Sequence, residues 1–178
     1  TYEQDPDIID SLRACKDDAE IALIQYAMDI TLQVHKDVHA SLRPGMRASE
    51  VKSFVDTRHQ ELGADNGSYF CAVQFGQATA FPHGVPGDQI LQDNDLVLVD
   101  TGCCIDGYHS DITRTYAFGK AVPEQQHIWN IEREAEQAAF EAAQPGSPCH
   151  VTDDAARAVL QKYGLGPVSY THLRAHET

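Results

Sequence analysis

Apolar residues recur at Ile21, Ile24, Ala27, Met28, Leu32 and Val38, a helical period that predicts one long amphipathic helix over 17–42, stopped by Pro44-Gly45. Ser49 and Glu50 open a second helix, in which Val51, Phe54, Val55 and Leu62 recur at helical spacing before Gly63 ends it. The pattern then changes. Residues 68–75 are aromatic and β-prone, and 96–104 and 108–118 read as strands flanking Asp106-Gly107, the strongest short hairpin signal. Pro123 suits the first turn of another long helix that reaches about Ala143, and a further helix runs from Thr152 to Tyr163 before Gly164.

The helical stretches form a repeat. Gly45 of the first Pro-Gly pair lies 18 residues before Gly63, and Gly146 of the second lies 18 before Gly164. Each unit reads long helix, Pro-Gly turn, short helix, Gly, and only the first is followed by strands and a hairpin. Together with a first residue that is Thr1 rather than Met, this reads as a piece of something longer. The last eleven residues, VSYTHLRAHET from Val168 to Thr178, resemble the translation of a transposase adapter used in sequencing libraries. On that reading His172, His176 and Glu177 carry no chemistry.

Composition narrows the function classes. With 13 Lys and Arg against 27 Asp and Glu the formal charge is −14, which disfavours a surface built to grip nucleic acid or anionic lipid. Apolar residues at 42%, with 12 Gly, are near the globular average and exclude a disordered tail or a fibrous repeat. The longest aliphatic run, Leu96 to Val99, falls far short of the roughly 20 residues of a membrane helix, and the acidic start TYEQDPDIID is no signal peptide. Five cysteines without C-x-x-C spacing read as reduced thiols of a cytoplasmic protein. Cys103 and Cys104, neighbours on a predicted strand, point to opposite faces and cannot both line one metal site.

The acidic residues of most interest are Asp100 and Asp111, in LVLVDTGCCIDGYHSDITRTY. A two-residue turn at Asp106-Gly107 pairs Ile105 with Tyr108 and therefore Asp100 with Thr113. Asp111, two residues from Thr113, shares that face. The carboxylates are then diagonal neighbours, their backbones roughly 7–8 Å apart, and can converge on one ion or a metal pair unless a one-residue bulge breaks the parity. Leu96 and Leu98 share the Asp100 face while Val97 and Val99 point the other way, so both faces of the strand read as covered. Two carboxylates partly buried together repel unless a cation neutralises them, and oxygen ligands suit Mn²⁺, Co²⁺, Fe²⁺ or Zn²⁺. The spacing alone leaves open a surface hairpin with two solvated Asp residues. His83, boxed between turn formers in Pro82-His83-Gly84-Val85-Pro86, reads in isolation as a loop histidine. His35 and His39 lie four apart on a helix, a spacing that can bind zinc, but without partner ligands nearby they read as a solvated face. His109 shares a face with Asp111 and is expected beside the ligands rather than among them. Glu132, Glu134 and Glu136 read as surface charge.

FPHGVPGDQIL, then DLVLVDTGCCIDGYHSDITRTYAFG, then a helix and a Pro-Gly turn, resemble the pita-bread metallopeptidases, above all aminopeptidase P and the Xaa-Pro dipeptidases. The resemblance runs from about Leu12 to Gly166. It implies an α+β fold, with helices packed on one side of a curved, mainly antiparallel sheet. Residues 1–11 would then be the remnant of an interdomain link, 12–166 a partial catalytic domain and 167–178 the adapter-derived tail. The resemblance also makes Asp100 a chelator of one metal, Asp111 the bridge between two, and His83 the histidine that contacts the scissile region and stabilises the transition state. The role of Thr113, beside the metals, stays open. Two divalent ions, Mn²⁺ foremost, would share a hydroxide that attacks the carbonyl of a peptide bond next to proline. A homodimer is implied by the resemblance only.

The family's remaining ligands, one His and two Glu, have no counterpart here, since no H-x-x-G-H-G stretch follows Gly166. The parent is therefore expected to be a peptidase and this stretch by itself inactive. Three alternatives remain: a methionine aminopeptidase, which shares H-G-x-P and the Asp pair; a non-peptidase enzyme on the same fold, such as a creatinase or metal-dependent lyase; and a non-catalytic binding module. Creatinases lack the metal carboxylates, so Asp100 and Asp111 argue against that member, and retention of both Asp and His83 weighs against the last.

Overall fold

The computed structural model describes residues 6–81 and 84–165. Three expectations fall partly or wholly outside them: the link over 1–11 in its first five positions, the histidine His83, and the tail over 167–178. The chain divides into two compact units, residues 1–119 and 120–178.

In the first unit, α1 (Pro6–Ala14) precedes the predicted elements, and its described side chains are exposed. Helix α2 (Asp18–Ser41) starts at a capping box. The Asp17 carboxylate accepts from the Glu20 amide at 2.9 Å and the Glu20 carboxylate from the Asp17 amide at 2.7 Å, so two otherwise orphaned N–H groups are satisfied. Its buried stripe is Ala27, Ile30, Thr31, Val34, His35 and Val38, spaced at i, i+3, i+4. This corrects the expected face, because Ile21 and Met28 are exposed. Thr31 and His35, polar residues that a hydropathy period discounts, sit in the middle of the buried face. His35 is therefore not part of a solvated face, whereas His39 is exposed and meets the Tyr116 ring edge-on at 4.9 Å. Helix α3 (Ala48–Glu61) buries Ala48, Val51, Val55 and His59.

The sheet runs β1 (Ser68–Phe75), β2 (Leu96–Ile105), then the returning strand, seen as β3 (Tyr108–His109) and β4 (Ile112–Ala117); all pairings are antiparallel. Asp106 and Gly107 both have positive φ, +48° and +87°, the geometry of a tight hairpin turn whose twist matches the strands. Ile105 pairs with Tyr108 and Asp100 with Thr113, as the turn length requires. The returning strand is interrupted, contrary to expectation: Ser110 and Asp111 fall between β3 and β4, although the Ser110 amide still donates to the Cys103 carbonyl at 3.0 Å. The Ser110 side chain turns inward to accept from the Cys103 amide at 3.0 Å, and Gly102 leaves room for the Ser110 carbonyl. Pairing resumes in the same register, so the parity of the two carboxylates survives.

The core lies on one face of this sheet, where Ala27, Ile30, Val34 and Val38 of α2 and Val51 and Val55 of α3 meet Val73 and Phe75 of β1 and Val97, Val99, Cys103 and Ile105 of β2. Each fully buried aliphatic side chain contributes about 1.5–3 kcal/mol relative to exposure. The opposite face differs from expectation: Leu96, Leu98 and Asp100 are half-buried rather than covered.

In the second unit, α4 (Pro123–Ala142), with Pro in its first turn, packs on α5 (His150–Lys162) through Ile131, Ala135 and Leu160. Glu134, expected as plain surface charge, accepts from Lys162 Nζ at 2.9 Å and the Tyr163 hydroxyl at 2.8 Å, tying the helices together at an exposed position. The paired glycines of the repeat share a conformation, φ +84° at both Gly45 and Gly146 and +97° and +76° at Gly63 and Gly164, as helix-terminating glycines do. Among the described residues no helix is long and apolar enough to cross a membrane.

Candidate metal centre

Asp100 sits near the middle of β2, on the half-open face, directly across from Thr113. The Thr113 hydroxyl donates to Asp100 Oδ1 at 2.7 Å, which occupies one lone pair and fixes the plane of the carboxylate. Thr113, whose part the sequence leaves open, is thus a second partner of the aspartate. Asp111 reaches the same place from the gap in the returning strand. Desolvation, then the Asp100 charge and a hydrogen bond to that carboxyl, push the Asp111 acid above the usual carboxylate range. Like charges so close disfavour double ionisation, and a divalent cation relieves the same repulsion without a proton. A pair of hard oxygen donors on a half-open face fits an oxophilic divalent ion. Among the described residues no third His, Cys, Asp or Glu completes a cluster with them.

Two side chains join the site that sequence periodicity does not indicate. The β1–β2 register shifts between Ser68 and Phe70, which leaves Tyr69 as the extra residue of a bulge and re-aims its ring. Tyr69 lies over Gly102, with Cε1 2.8 Å from where a Cβ would stand, and meets the His109 ring edge-on at 4.6 Å. Its phenol is raised by burial and by the charges of Asp111 and Asp100. His109 thus stands near the pair through Tyr69. The second is Gln74, on the Asp100 face of β1 by alternation. Its buried amide donates to the Phe81 carbonyl at 2.7 Å, and its Nε2 lies 3.6 Å from where a Cβ on Gly84 would stand, so both flanks of Pro82-His83 converge on it. An alternation pattern identifies Gln74's face, but the loop contact is long-range and has no local signature.

Beneath the hairpin lie two buried histidines. Burial holds both below the usual imidazole value of 6.5, outweighing the hydrogen bonds to the Ile112 carbonyl from His35 and to the Val55 carbonyl from His59. Among charged neighbours, Arg114 also lowers His35 and Asp100 raises it, while for His59 the neighbouring His35 lowers and Asp56 raises. With folded values below the unfolded one, the unfolded chain binds more protons, so stability present above pH 6.5 is lost as the pH falls towards the folded values. Urea unfolding of the metal-free chain at about pH 7 and about pH 5.5 should show stability falling by up to about 2.7 kcal/mol per pH unit for two such groups. A flat profile over that window would mean that both rings protonate in place.

A model of metallopeptidase family M24 matches residues 22–177. The chain belongs to this family. It is 36% identical over 158 residues to the putative dipeptidase YkvY of Bacillus subtilis strain 168, a match covering 89% of this chain and 44% of that relative. Its fold is similar to that of prolidase from Pyrococcus furiosus, with a TM-score of 0.87 at 33% identity over 93% of this chain and 49% of that one. For X-Pro aminopeptidase from Thermotoga maritima MSB8 the TM-score is 0.86 at 28% identity, over 90% and 46%. The M24 chain thus spans under half the length of these relatives, and over that span its α+β architecture is the pita-bread one expected from the resemblance.

Proposed function

We propose that the whole protein hydrolyses peptide bonds adjacent to proline, with Asp100 and Asp111 as two of its metal ligands and His83 at the scissile group. The observation that carries this reading is the convergence of the two carboxylates from opposite strands of one hairpin, in a chain 33% identical to a Xaa-Pro dipeptidase of Pyrococcus furiosus. Two divalent ions bound there, manganese foremost, would polarise the scissile carbonyl and activate the attacking water. Thr113 keeps one Asp100 oxygen occupied and so presents the other. Asp111, set in the break between β3 and β4, would hold the ions from the returning strand. Gln74 anchors the chain just before Pro82-His83 on the same sheet face, which supports a place for His83 at the substrate.

The test uses the whole protein, stripped of metal and resupplied with Mn²⁺, Co²⁺, Zn²⁺ or Fe²⁺, on Xaa-Pro dipeptides, longer Xaa-Pro peptides and peptides beginning with Met. Metal-dependent cleavage next to proline is expected, and preferential release of Met overturns the substrate class. His83→Ala should lower kcat by about a hundredfold with metal content unchanged. Loss of metal together with activity would instead make His83 a ligand.

A further inference from the structure

Asp111 lies in the break between β3 and β4 and has no ladder partner of its own; next to it the Ser110 amide donates to the Cys103 carbonyl at 3.0 Å and Ile112 pairs with Thr101. In addition to these bonds to β2, the residues on either side of it are bonded from below by polar groups of the helical layer. Ser110 and Thr31 are buried, and their hydroxyl oxygens are 2.8 Å apart. Thr31 Oγ1 is 3.2 Å from Nε2 of the fully buried His59, and His59 Nδ1 is 3.0 Å from the Val55 carbonyl.

Chemistry orders these bonds. A carbonyl only accepts, so His59 Nδ1 carries a proton, and in a neutral ring Nε2 must then accept from the Thr31 hydroxyl. With its single proton committed to His59, Thr31 accepts from the Ser110 hydroxyl. Ser110 in turn accepts from the Cys103 amide at 3.0 Å. The result is one directed chain, Cys103 N–H to Ser110 to Thr31 to His59 to Val55, crossing β2, α2 and α3. On the other side of Asp111, His35 Nε2 donates to the Ile112 carbonyl at 2.9 Å. Both neighbours of the aspartate are therefore tied to α2, one through a hydroxyl and one through a main-chain oxygen.

We propose that this buried chain, with His35 on Ile112, is a positioning device that presets Asp111 for the cation it shares with Asp100. Valine, alanine and leucine in these places would fill the same space and satisfy a core. Aligned hydroxyls and imidazoles instead favour one backbone conformation at the kink: His35 Nδ1 is unpartnered already, and moving the kink would break the Ser110–Thr31 and His35–Ile112 bonds and leave further buried polar atoms unpaired. Thr31, His59, Ser110 and His35 act through Asp111 and touch no substrate. The proposal rests on the metal reading of the pair.

The test follows Mn²⁺ binding to the isotopically labelled 178-residue chain by paramagnetic line broadening at amides around Asp100 and Asp111. Thr31→Val, which keeps shape and removes the link, should weaken the apparent affinity by about tenfold, and Thr31→Ser should bring it back near wild type. Ser110→Ala breaks the chain from the other end and should match Thr31→Val. Without metal, both broken-chain variants should speed hydrogen exchange at the amide of residue 110, which donates to the Cys103 carbonyl, far more than at Val99 in the same hairpin. If Thr31→Val and Ser110→Ala bind Mn²⁺ like wild type while Asp111→Asn does not, the chain is packing only and the proposal falls while the metal reading stands. Uniform acceleration of exchange across the hairpin also overturns it. Mn²⁺ binding that is absent, or indifferent to Asp111→Asn, removes the metal reading and the positioning role with it.

Discussion

Asp111→Ala in the whole protein is expected to abolish metal-dependent hydrolysis, lowering kcat/KM by at least about a thousandfold, or ~4 kcal/mol of transition-state stabilisation. The physical reason is charge rather than shape. Burial first, and then the neighbouring Asp100 charge, raise the Asp111 acid, and a divalent ion bound there would relieve the repulsion between the two carboxylates. On the proposed reading, removing one carboxylate would remove both a ligand and part of the field that concentrates the cation. Asp111→Asn, isosteric but neutral, should therefore be almost as damaging, and Asp100→Ala should be equivalent. The measurement is steady-state kinetics with metal content determined on the same samples. Full activity in an Asp111→Ala enzyme would sink the assignment of the pair.

The second large effect is expected at Gly102, a position with no side chain to bind a metal. A Cβ there would be driven into the Ser110 carbonyl oxygen and would stand 2.8 Å from the Tyr69 ring, and neither neighbour is the free end of a flexible side chain. Gly102→Ala must displace the kink that carries Asp111, at a cost of about 3 kcal/mol by analogy with overpacked cores. Gly107→Ala makes the contrast: nothing lies within 4 Å of the added methyl, and the cost of about 1 kcal/mol comes from positive φ alone. Urea denaturation of the two variants separates the cases. Equal losses would mean that the hairpin can slide away from the added methyl. Gly102→Ala should also impair Mn²⁺ binding, whereas Gly107→Ala, at the far turn, should leave it unchanged.

What could be read without coordinates is what local rules encode. The helical period that begins at residue 17, the Pro-Gly stops and the Asp106-Gly107 turn place the boundaries of α2, α3 and the hairpin close to where they occur. Turn length determines register, and register determines that Asp100 faces Thr113 and shares a face with Asp111, because side chains in a strand alternate with period two. Even the break at Ser110 and Asp111 leaves this intact, since it adds no residue to either strand.

Tertiary packing decided the rest. The α2 face that is buried contains Thr31 and His35, so hydropathy nominated Ile21 and Met28 in error. Those polar residues are buried because Ser110, Ile112 and His59 arrive from other elements to bond them, and no pattern within α2 can announce partners that distant in sequence. Tyr69 reaches the carboxylates through a bulge, which cancels the very alternation that a sequence reading relies on. Gln74 grips Phe81 across a loop. Period and parity belong to single elements and are written in the chain order. Hydrogen bonds between elements exist only once the apolar faces have chosen how to pack, and in this protein they hold the backbone on both sides of Asp111.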